Sequence, residues 1–299
     1  MGILKRNLFP QIVVDLPHQG TSAACLRVMS ISSHIDNALL IDLDGVIYQG
    51  DRPIAGAVDS LDWLKQRQIP HLYVTNTTSR SRAALLEKFI GLGFEAQLDE
   101  LMTPIVAANQ WLDTQQMHRI AAFVSPDALV DFDGVEIIPP ERDEAVDAVV
   151  IGDLGDAWDY QMLNRAFRLL MQDPAPQLIA LGMTRYWRGN DGLRLDVAPF
   201  IKALEHAASC EACVVGKPAA NFFAASLALL DCSAQQAFMI GDDIVGDTAA
   251  AQACGIRGIQ VRTGKFREAD LSGEIKPFAV LDSIANLPAW WQQTVTSTA

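Results

Sequence analysis

One segment organises this sequence: Ile41-Asp42-Leu43-Asp44-Gly45-Val46-Ile47-Tyr48. The apolar run Ala38-Leu39-Leu40-Ile41 leads into it and is typical of a buried strand, which Gly45 ends. Two carboxylates at the end of a buried strand are costly without a counter-charge, which Mg²⁺ could supply through oxygen ligands. In isolation, Asp42 and Asp44 fit a simple turn equally well, so the other motifs must decide between the two interpretations.

The composition limits the classes of function. Half of the 299 residues are hydrophobic, which is enough for a large core and argues against disorder. A net charge of −13 without a basic stripe argues against nucleic acid as a partner. Five irregularly spaced cysteines, with a lone CxxC at Cys210 and Cys213, indicate a reducing compartment and no zinc site. No apolar run is long enough to span a bilayer, so we expect a cytoplasmic protein with no membrane partner.

The first 36 residues fit no periodic pattern. Polar residues and Pro10 interrupt their apolar positions, which makes them a poor signal peptide. Two interpretations stay open for this N-terminal extension: a disordered segment, or a start codon assigned upstream of Met29.

The rest of the chain alternates between strand and helix patterns. Strands are predicted at 38–41, 70–74, 120–124, 135–138, 146–151, 177–181, 214–215, 237–240, 258–261 and 278–281. Helices are predicted at 56–68, 80–92, 103–116, 125–130, 160–171, 199–208, 222–230 and 248–253, with one more at the C-terminus, and residues 182–195 are predicted to be a loop. This alternation predicts an α/β fold with a doubly wound parallel sheet, whose ligands bind at the carboxyl ends of strands.

Three more polar clusters fall at predicted strand ends. Thr75-Asn76-Thr77-Thr78-Ser79 suits both a helix N-cap and a phosphate cradle, and the two are compatible. Lys217 could be a surface lysine or the counter-charge for carboxylates and phosphate. Gly241 to Asp247 holds three acids in seven positions; a solvated turn is the alternative, but a cation explains so many carboxylates beside a buried sheet better.

Taken in order, these four motifs resemble those of the haloacid dehalogenase-like (HAD) hydrolase superfamily. The long α/β insert between the second and third motifs resembles class IIA, the group with a large C2-type cap. Thr75 to Thr78, Val215 to Pro218, Gly241 to Asp247 and Arg262 to Phe266 are similar to the branch that holds HDHD-type proteins and the phospholysine phosphohistidine inorganic pyrophosphate phosphatases. The resemblance covers about residues 37 to 290 and implies a Rossmann-like core at 37–103 and 213–299, with the cap at 104–212.

The resemblance also implies a Mg²⁺-dependent phosphatase that acts on a small phosphorylated metabolite or pyrophosphate. Asp42 would be the nucleophile that becomes an aspartyl-phosphate, and Asp44 the general acid and base. Asp42, the backbone carbonyl of Asp44, and Asp242 would hold Mg²⁺.

Supporting roles follow from the same resemblance. Thr75 and Asn76 would hold phosphoryl oxygens, and Lys217 would neutralise charge around the nucleophile. Asp243 and Asp247 would lie next to the residues that contact the metal and the phosphate, and would assist them without being primary contacts.

The cap is where the resemblance weakens. Its specificity loop should be Gly182 to Arg188, which departs from the Thr-Asn-Pro-Asp-like pattern of class IIA. Arg185, Tyr186 or Arg188 is the candidate contact for an anionic or aromatic leaving group; the alternative is a surface loop. Class IIA relatives often pair through their caps, which implies a homodimer by resemblance alone.

Two other functions use the same acidic pair. A metal-dependent glycosyltransferase would bind a diphosphate through Asp42 and Asp44, but it gives no reason for Lys217 and Asp242 to lie at strand ends. A receiver-type phosphoacceptor module also joins paired acids, a lysine and Mg²⁺, but such modules are much shorter and need no cap.

Overall fold

A computed structural model gives the fold of residues 37–189 and 192–295, without the side chains of 187–189. The expectations for residues 1–36 and for the side chain of Arg188 lie outside the described residues. Within those residues, no helix is long and apolar enough to cross a membrane.

Strands and helices alternate along the described chain. The strands are β1 (Ala38–Asp42), β2 (Tyr48–Gln49), β3 (Arg52–Pro53), β4 (His71–Val74), β5 (Leu101–Met102), β6 (Arg119–Phe123), β7 (Glu136–Ile137), β8 (Ala148–Ile151), β9 (Gln177–Ala180), β10 (Tyr186–Gly189), β11 (Gly192–Leu195), β12 (Cys213–Val214), β13 (Ala237–Gly241), β14 (Arg257–Val261) and β15 (Ala279–Leu281). The α-helices are α1 (Ala57–Gln66), α2 (Arg82–Gly91), α3 (Pro104–Thr114), α4 (Tyr160–Leu170), α5 (Val197–Ala208), α6 (Ala220–Leu229), α7 (Ala250–Ala253) and α8 (Leu287–Thr294).

Two parallel sheets organise these elements. A six-stranded sheet has the order β15-β14-β13-β1-β4-β5, and a five-stranded sheet has the order β12-β9-β8-β6-β7. Every pairing within either sheet is parallel. We call the six-stranded sheet and its helices the core, and the five-stranded sheet with α4 and α5 the cap.

β1 lies at the switch point of the core sheet. The chain leaves β1 towards β4 on one side and returns to β13 on the other, so the three carboxyl ends lie side by side. A crevice opens at such a reversal of strand order, and the segment after β1 therefore sits where a ligand can enter.

Both faces of the core sheet are covered, as the apolar runs predict. Leu39 and Ile41 belong to a cluster that includes residues of α1, α2 and α8. Leu40 points to the opposite cluster, which contains residues of α3 and α6 and extends to the cap sheet. A third cluster packs α4 and α5 against the far face of the cap sheet. The expected α/β class with a doubly wound parallel sheet is confirmed.

The structure departs from the predicted elements in two places that matter for the site. Residues 182–195, predicted to be a loop, contain the antiparallel hairpin of β10 and β11. The short strand before Lys217 pairs with β9 in the cap sheet and not with the core sheet. A strand of two residues carries no sequence signal for its partner, because its pairing depends on long-range packing.

We expect Leu40→Ala to lower the free energy of unfolding by about 2–5 kcal/mol, because it leaves a cavity in the centre of the core sheet. Leu229→Ala is the matched control, because that side chain is 47 % exposed at the end of α6. We expect it to lower the free energy of unfolding by only about 0.5 kcal/mol. Urea denaturation of both variants measures the difference. Equal costs would contradict the assignment of Leu40 to the core.

Candidate active site

The carboxyl ends of two neighbouring core strands, β1 and β13, supply the acidic part of the site. Asp42 is the last residue of β1, and Asp242 follows β13 directly. Carboxylate oxygens of Asp42, Asp242 and Asp247 all lie within 4.8 Å of one another. All three residues are buried, whereas Asp44 is exposed and lines the cleft above them. Asp42 and Asp242 therefore lie at the carboxyl ends of their strands, as the sequence predicted.

Lys217 is the counter-charge of this cluster. Its ammonium donates hydrogen bonds to Asp42 Oδ1 at 2.5 Å and to Asp247 Oδ1 at 2.8 Å. The residue is 5 % exposed, so the surface interpretation of this lysine is wrong. A buried charge is stable only when it is paired and hydrogen-bonded, and here each partner satisfies the other.

The charged groups of the cluster shift one another's pKa values. Burial raises the pKa of Asp42 to about 7, with Asp247 and Asp242 adding to the shift and Lys217 opposing it. Burial also raises the pKa of Asp242 to about 6. For Lys217, burial alone would lower the pKa, but Asp247 and Asp42 outweigh it, so the ammonium stays protonated. Without a cation, the site thus holds more carboxylate charge than one lysine can balance.

Asp242 carries the clearest sign that a metal belongs here. Its Oδ2 accepts a hydrogen bond from the Lys265 backbone N–H at 2.7 Å. Its Oδ1 is buried and has no hydrogen-bond partner within the described residues. Such an orphaned oxygen beside two other carboxylates fits a hard divalent cation, which prefers oxygen ligands.

Two glycines leave room for that carboxylate. Gly45 and Gly264 both have positive φ, +86° and +63°, which favours glycine. A Cβ on either residue would overlap the Asp242 carboxylate. The turn after β1 and the turn after β14 therefore close around one side chain.

The loop after β4, which the sequence analysis described as a possible phosphate cradle, is hydrogen-bonded to Lys217. Asn76 Nδ2 donates to the Lys217 carbonyl, and the Lys217 N–H donates back to Asn76 Oδ1, both at 2.9 Å. The Asn76 side chain therefore positions the lysine and keeps one Nδ2 hydrogen for a ligand. Thr75 Oγ1 accepts a hydrogen bond from the Thr77 N–H at 3.1 Å, so this loop also folds on itself.

The acidic segment after β13 is held by its own backbone. Asp243 Oδ1 accepts hydrogen bonds from the N–H groups of Val245 and Gly246 at 3.1 and 2.9 Å. Burial alone would raise the pKa of Asp243, but these bonds and Lys265 lower it overall. Asp247 lies on the π-helical turn Ile244–Ala249, which directs it towards Lys217. Asp243 thus stabilises the turn, while Asp247 belongs to the buried cluster.

A cleft of about 340 Å³ lies between these groups and the cap. The cap lines it with Asp153, Thr184 and Asp196. Thr184 lies in the segment Gly182 to Arg188 expected to be the specificity loop, whereas Asp153 and Asp196 were not singled out. Arg185 and Tyr186 are exposed and do not line it. Isolated acids among 36 Asp and Glu carry no local pattern, so only the tertiary fold could reveal Asp153 and Asp196. Lys265, by contrast, lies in the segment Arg262 to Phe266 that the sequence analysis had quoted.

Comparisons with known proteins show the family of the chain. Residues 39–137 match the family model described as haloacid dehalogenase-like hydrolase, and residues 214–287 match one described as HAD-hydrolase-like. Human phospholysine phosphohistidine inorganic pyrophosphate phosphatase is 40 % identical over 252 residues, covering 83 % of this chain and 91 % of the relative. Mouse haloacid dehalogenase-like hydrolase domain-containing protein 2 is 42 % identical over 233 residues, covering 78 % and 86 %.

Solved structures show the same fold. The p-nitrophenyl phosphatase from Archaeoglobus fulgidus matches with a TM-score of 0.77 and 24 % identity, over 85 % of this chain and 99 % of its own. A glycerol phosphate phosphatase from Mycobacterium tuberculosis, in complex with calcium, matches with a TM-score of 0.74 and 27 % identity, over 84 % of this chain and 74 % of its own.

The fold, the site and these likenesses define a capped hydrolase of phosphate compounds. They do not favour a glycosyltransferase or a phosphoacceptor module, which give no reason for a cap above a lysine-paired carboxylate cluster. The chain belongs to the haloacid dehalogenase-like hydrolases of class IIA and is a phosphatase.

We expect Gly264→Ala to reduce kcat/KM towards p-nitrophenyl phosphate by about 100-fold, because the new methyl group displaces Asp242. Gly134→Ala is the matched control: its φ is also positive, +72°, but no atom lies within 4 Å of the added Cβ. Steady-state kinetics of both variants separates displacement from backbone strain. Equal activity in the two variants would show that the space beside Asp242 does not matter.

The raised pKa of Asp42 predicts how stability depends on pH. A carboxylate whose pKa rises from 3.8 to about 7 on folding stabilises the protein below pH 3.8, and this contribution is lost as the pH rises through about 7. In EDTA, the Tm of the wild type should therefore fall between pH 4 and 8 relative to that of Asp42→Asn. Differential scanning calorimetry measures the two profiles, and parallel profiles would refute the shift.

Proposed function

We propose that this phosphatase requires Mg²⁺ and works through an aspartyl-phosphate on Asp42. The observation that carries the proposal is the buried carboxylate cluster that Lys217 balances only in part, at the floor of the cleft. Both carboxylate oxygens of Asp247 accept hydrogen bonds, Oδ1 from Lys217 and Oδ2 from the Asp243 N–H, whereas Lys217 contacts only Oδ1 of Asp42. This leaves Asp42 and Asp242 as side-chain ligands, joined by the Asp44 carbonyl. Mg²⁺ suits such a site because it typically binds one or two carboxylates together with substrate phosphate and water.

When bound, the ion would supply positive charge that favours ionised carboxylates and draws phosphoryl oxygens to the site. A carboxylate oxygen of Asp42 attacks phosphorus, so that a bond from Asp42 to phosphorus forms and the bond to the leaving group breaks. Asp44 gives its proton to the leaving group. Asp44 then takes a proton from water, which attacks phosphorus, releases inorganic phosphate and restores the Asp42 carboxylate.

The remaining residues hold the phosphoryl group and the nucleophile in place. Lys217 keeps one Asp42 oxygen hydrogen-bonded and balances the charge that accumulates there. Thr75 and Asn76 offer hydroxyl and amide hydrogens to phosphoryl oxygens at the end of β4. Asp243 and Asp247 assist by fixing the turn and the lysine.

The relatives suggest the range of substrates. One is named for phospholysine, phosphohistidine and inorganic pyrophosphate, and the structural neighbours for p-nitrophenyl phosphate and glycerol phosphate. We propose that this chain likewise hydrolyses a small phosphomonoester, a phosphoramidate or pyrophosphate. The cap closes the cleft from one side and would shield the intermediate from bulk water.

We expect Asp42→Asn to lower kcat/KM for p-nitrophenyl phosphate by about 1,000-fold or more, because the amide cannot form the acyl-phosphate. Borohydride reduction during turnover should modify Asp42 in the wild type, as seen by peptide mass spectrometry. Asp113→Asn, on the exposed end of α3, is the control and should keep full activity. Full activity in Asp42→Asn would overturn the mechanism.

The metal requirement has its own test. Protein treated with EDTA should lose turnover of p-nitrophenyl phosphate, and Mg²⁺ should restore it. Isothermal titration calorimetry should show Mg²⁺ binding that weakens in Asp242→Asn, because this change removes a proposed ligand. Undiminished turnover in EDTA would refute the requirement.

A further inference from the structure

The segment that follows β14, Arg262 to Phe266, reaches past the neighbouring strand; we call it the β14 turn. In the core sheet, β13 lies between β14 and β1. Even so, Thr263 Oγ1 donates a hydrogen bond to the Gly45 carbonyl, in the turn after β1, at 2.5 Å. A Cβ on Gly264 would lie 2.7 Å from the Cα of Gly45, so the backbones of the two turns are in close contact.

β14 and the β14 turn fix Asp242 at its backbone and at its side chain. The Gln260 side chain is fully buried, and its Nε2 donates to the Asp242 carbonyl at 2.7 Å. Thr248 Oγ1 donates to Gln260 Oε1 at 3.0 Å, which sets the direction of this amide. The Lys265 N–H donates to Asp242 Oδ2 at 2.7 Å. The buried Oδ1, which has no hydrogen-bond partner within the described residues, is therefore held in one direction.

The β14 turn also restrains the peptide group that carries the Asp44 carbonyl. Gly45 follows Asp44, and its N–H donates to the Tyr48 carbonyl at 2.7 Å. The Gly45 carbonyl accepts from Thr263, so both peptide groups of this glycine are hydrogen-bonded. Glycine is the residue with the most backbone freedom, and these two bonds restrict it at a φ of +86°. The direction of the Asp44 carbonyl therefore depends on Thr263.

We propose that Thr263 is a positioning residue that makes the site selective for Mg²⁺ over Ca²⁺. This inference rests on the proposed function, because it takes Asp242 and the Asp44 carbonyl as ligands of the ion. Thr263 does not line the cleft, so it acts through these ligands and not on the substrate. Its hydroxyl ties the β14 turn to Gly45 and thereby holds a ligand that follows β1 and a ligand that follows β13 at a fixed separation.

The stiffness of an oxygen site decides which of the two ions it prefers. Mg²⁺ requires a nearly ideal octahedron of oxygens at about 2.0–2.1 Å, whereas Ca²⁺ accepts about six to eight oxygens at about 2.3–2.6 Å in flexible arrangements. Ligands that cannot move apart therefore favour the smaller ion. Without the Thr263 hydroxyl, the turn after β1 and the β14 turn are free to separate, which weakens Mg²⁺ binding more than Ca²⁺ binding.

Isothermal titration calorimetry of the full chain tests the proposal. The protein is freed of metal with EDTA, dialysed, and titrated with Mg²⁺ or Ca²⁺ in the absence of substrate. Removing a hydrogen bond behind a metal ligand typically costs about 10–100-fold in affinity, so we expect Thr263→Val to raise the Kd for Mg²⁺ by about tenfold and the Kd for Ca²⁺ by no more than about threefold. Thr263→Ala, which adds no bulk, should have the same effect. Thr263→Ser keeps the hydroxyl and should restore both wild-type values.

Thr114→Val is the matched control. Thr114 Oγ1 also donates to a backbone carbonyl, that of Gln110, at 2.7 Å, but it lies in α3 and does not line the cleft. We expect this variant to keep both wild-type Kd values. Differential scanning calorimetry in EDTA reports the Tm of every variant. A general loss of stability would weaken the binding of both ions alike and leave the ratio of their Kd values unchanged.

The outcomes separate this inference from the proposed function. If Thr263→Val and Thr263→Ala lose affinity for both ions equally, or for neither, the inference is overturned and the Mg²⁺-dependent phosphatase stands. The same holds if Thr263→Ser behaves like Thr263→Val. A wild-type protein that does not bind Mg²⁺ overturns both the inference and the proposed metal requirement.

Discussion

The ammonium of Lys217 between Asp42 and Asp247 is the interaction on which the site depends. Without it, the end of β1 would bury carboxylates that repel one another in a region of low dielectric, where unpaired charge is costly. Three distant parts of the chain meet at this ammonium: the first strand of the core, the turn after β13 and the segment that returns from the cap. Asn76 joins them, because its side chain forms two hydrogen bonds with the backbone of Lys217, which lies 141 residues further along the chain. The buried ammonium of Lys217 is therefore needed both for the packing of these segments and for the charge balance of the site.

The position of Lys217 in the chain links the cap to Asp42. The lysine follows β12, which pairs with β9 in the cap sheet, so the cap's edge strand carries the chain back to the centre of the site. Thr78 makes a second link by accepting a hydrogen bond from Asp153. The cap is therefore attached to the floor of the cleft close to where phosphate would bind. Its position therefore contributes to the geometry of the carboxylate cluster.

Much of this arrangement could be predicted from the sequence, because the signals are local. An apolar run followed by Asp42, or by Asp242 and Asp243, shows both a buried strand and the charge at its end. Features that arise from long-range contacts could not be predicted. The sequence suggested a phosphate-binding role for Asn76, but it could not reveal that this side chain also forms two hydrogen bonds with the Lys217 backbone far along the chain. Residues 182–195 lack the alternation of a hairpin, and Asp196 looked like any other acid until the fold placed it beside Asp153.

The two glycines around Asp242 have an evolutionary consequence. Gly45 and Gly264 are 219 positions apart, but a side chain on either one would strike the same carboxylate. Once one position has changed, the carboxylate is already displaced, so a change at the other should add little further harm. The pair should therefore behave epistatically, and drift at one position would release the constraint on the other. Lineages that lose the pocket around the Asp242 carboxylate would lose both glycines, and lineages that keep it would keep both.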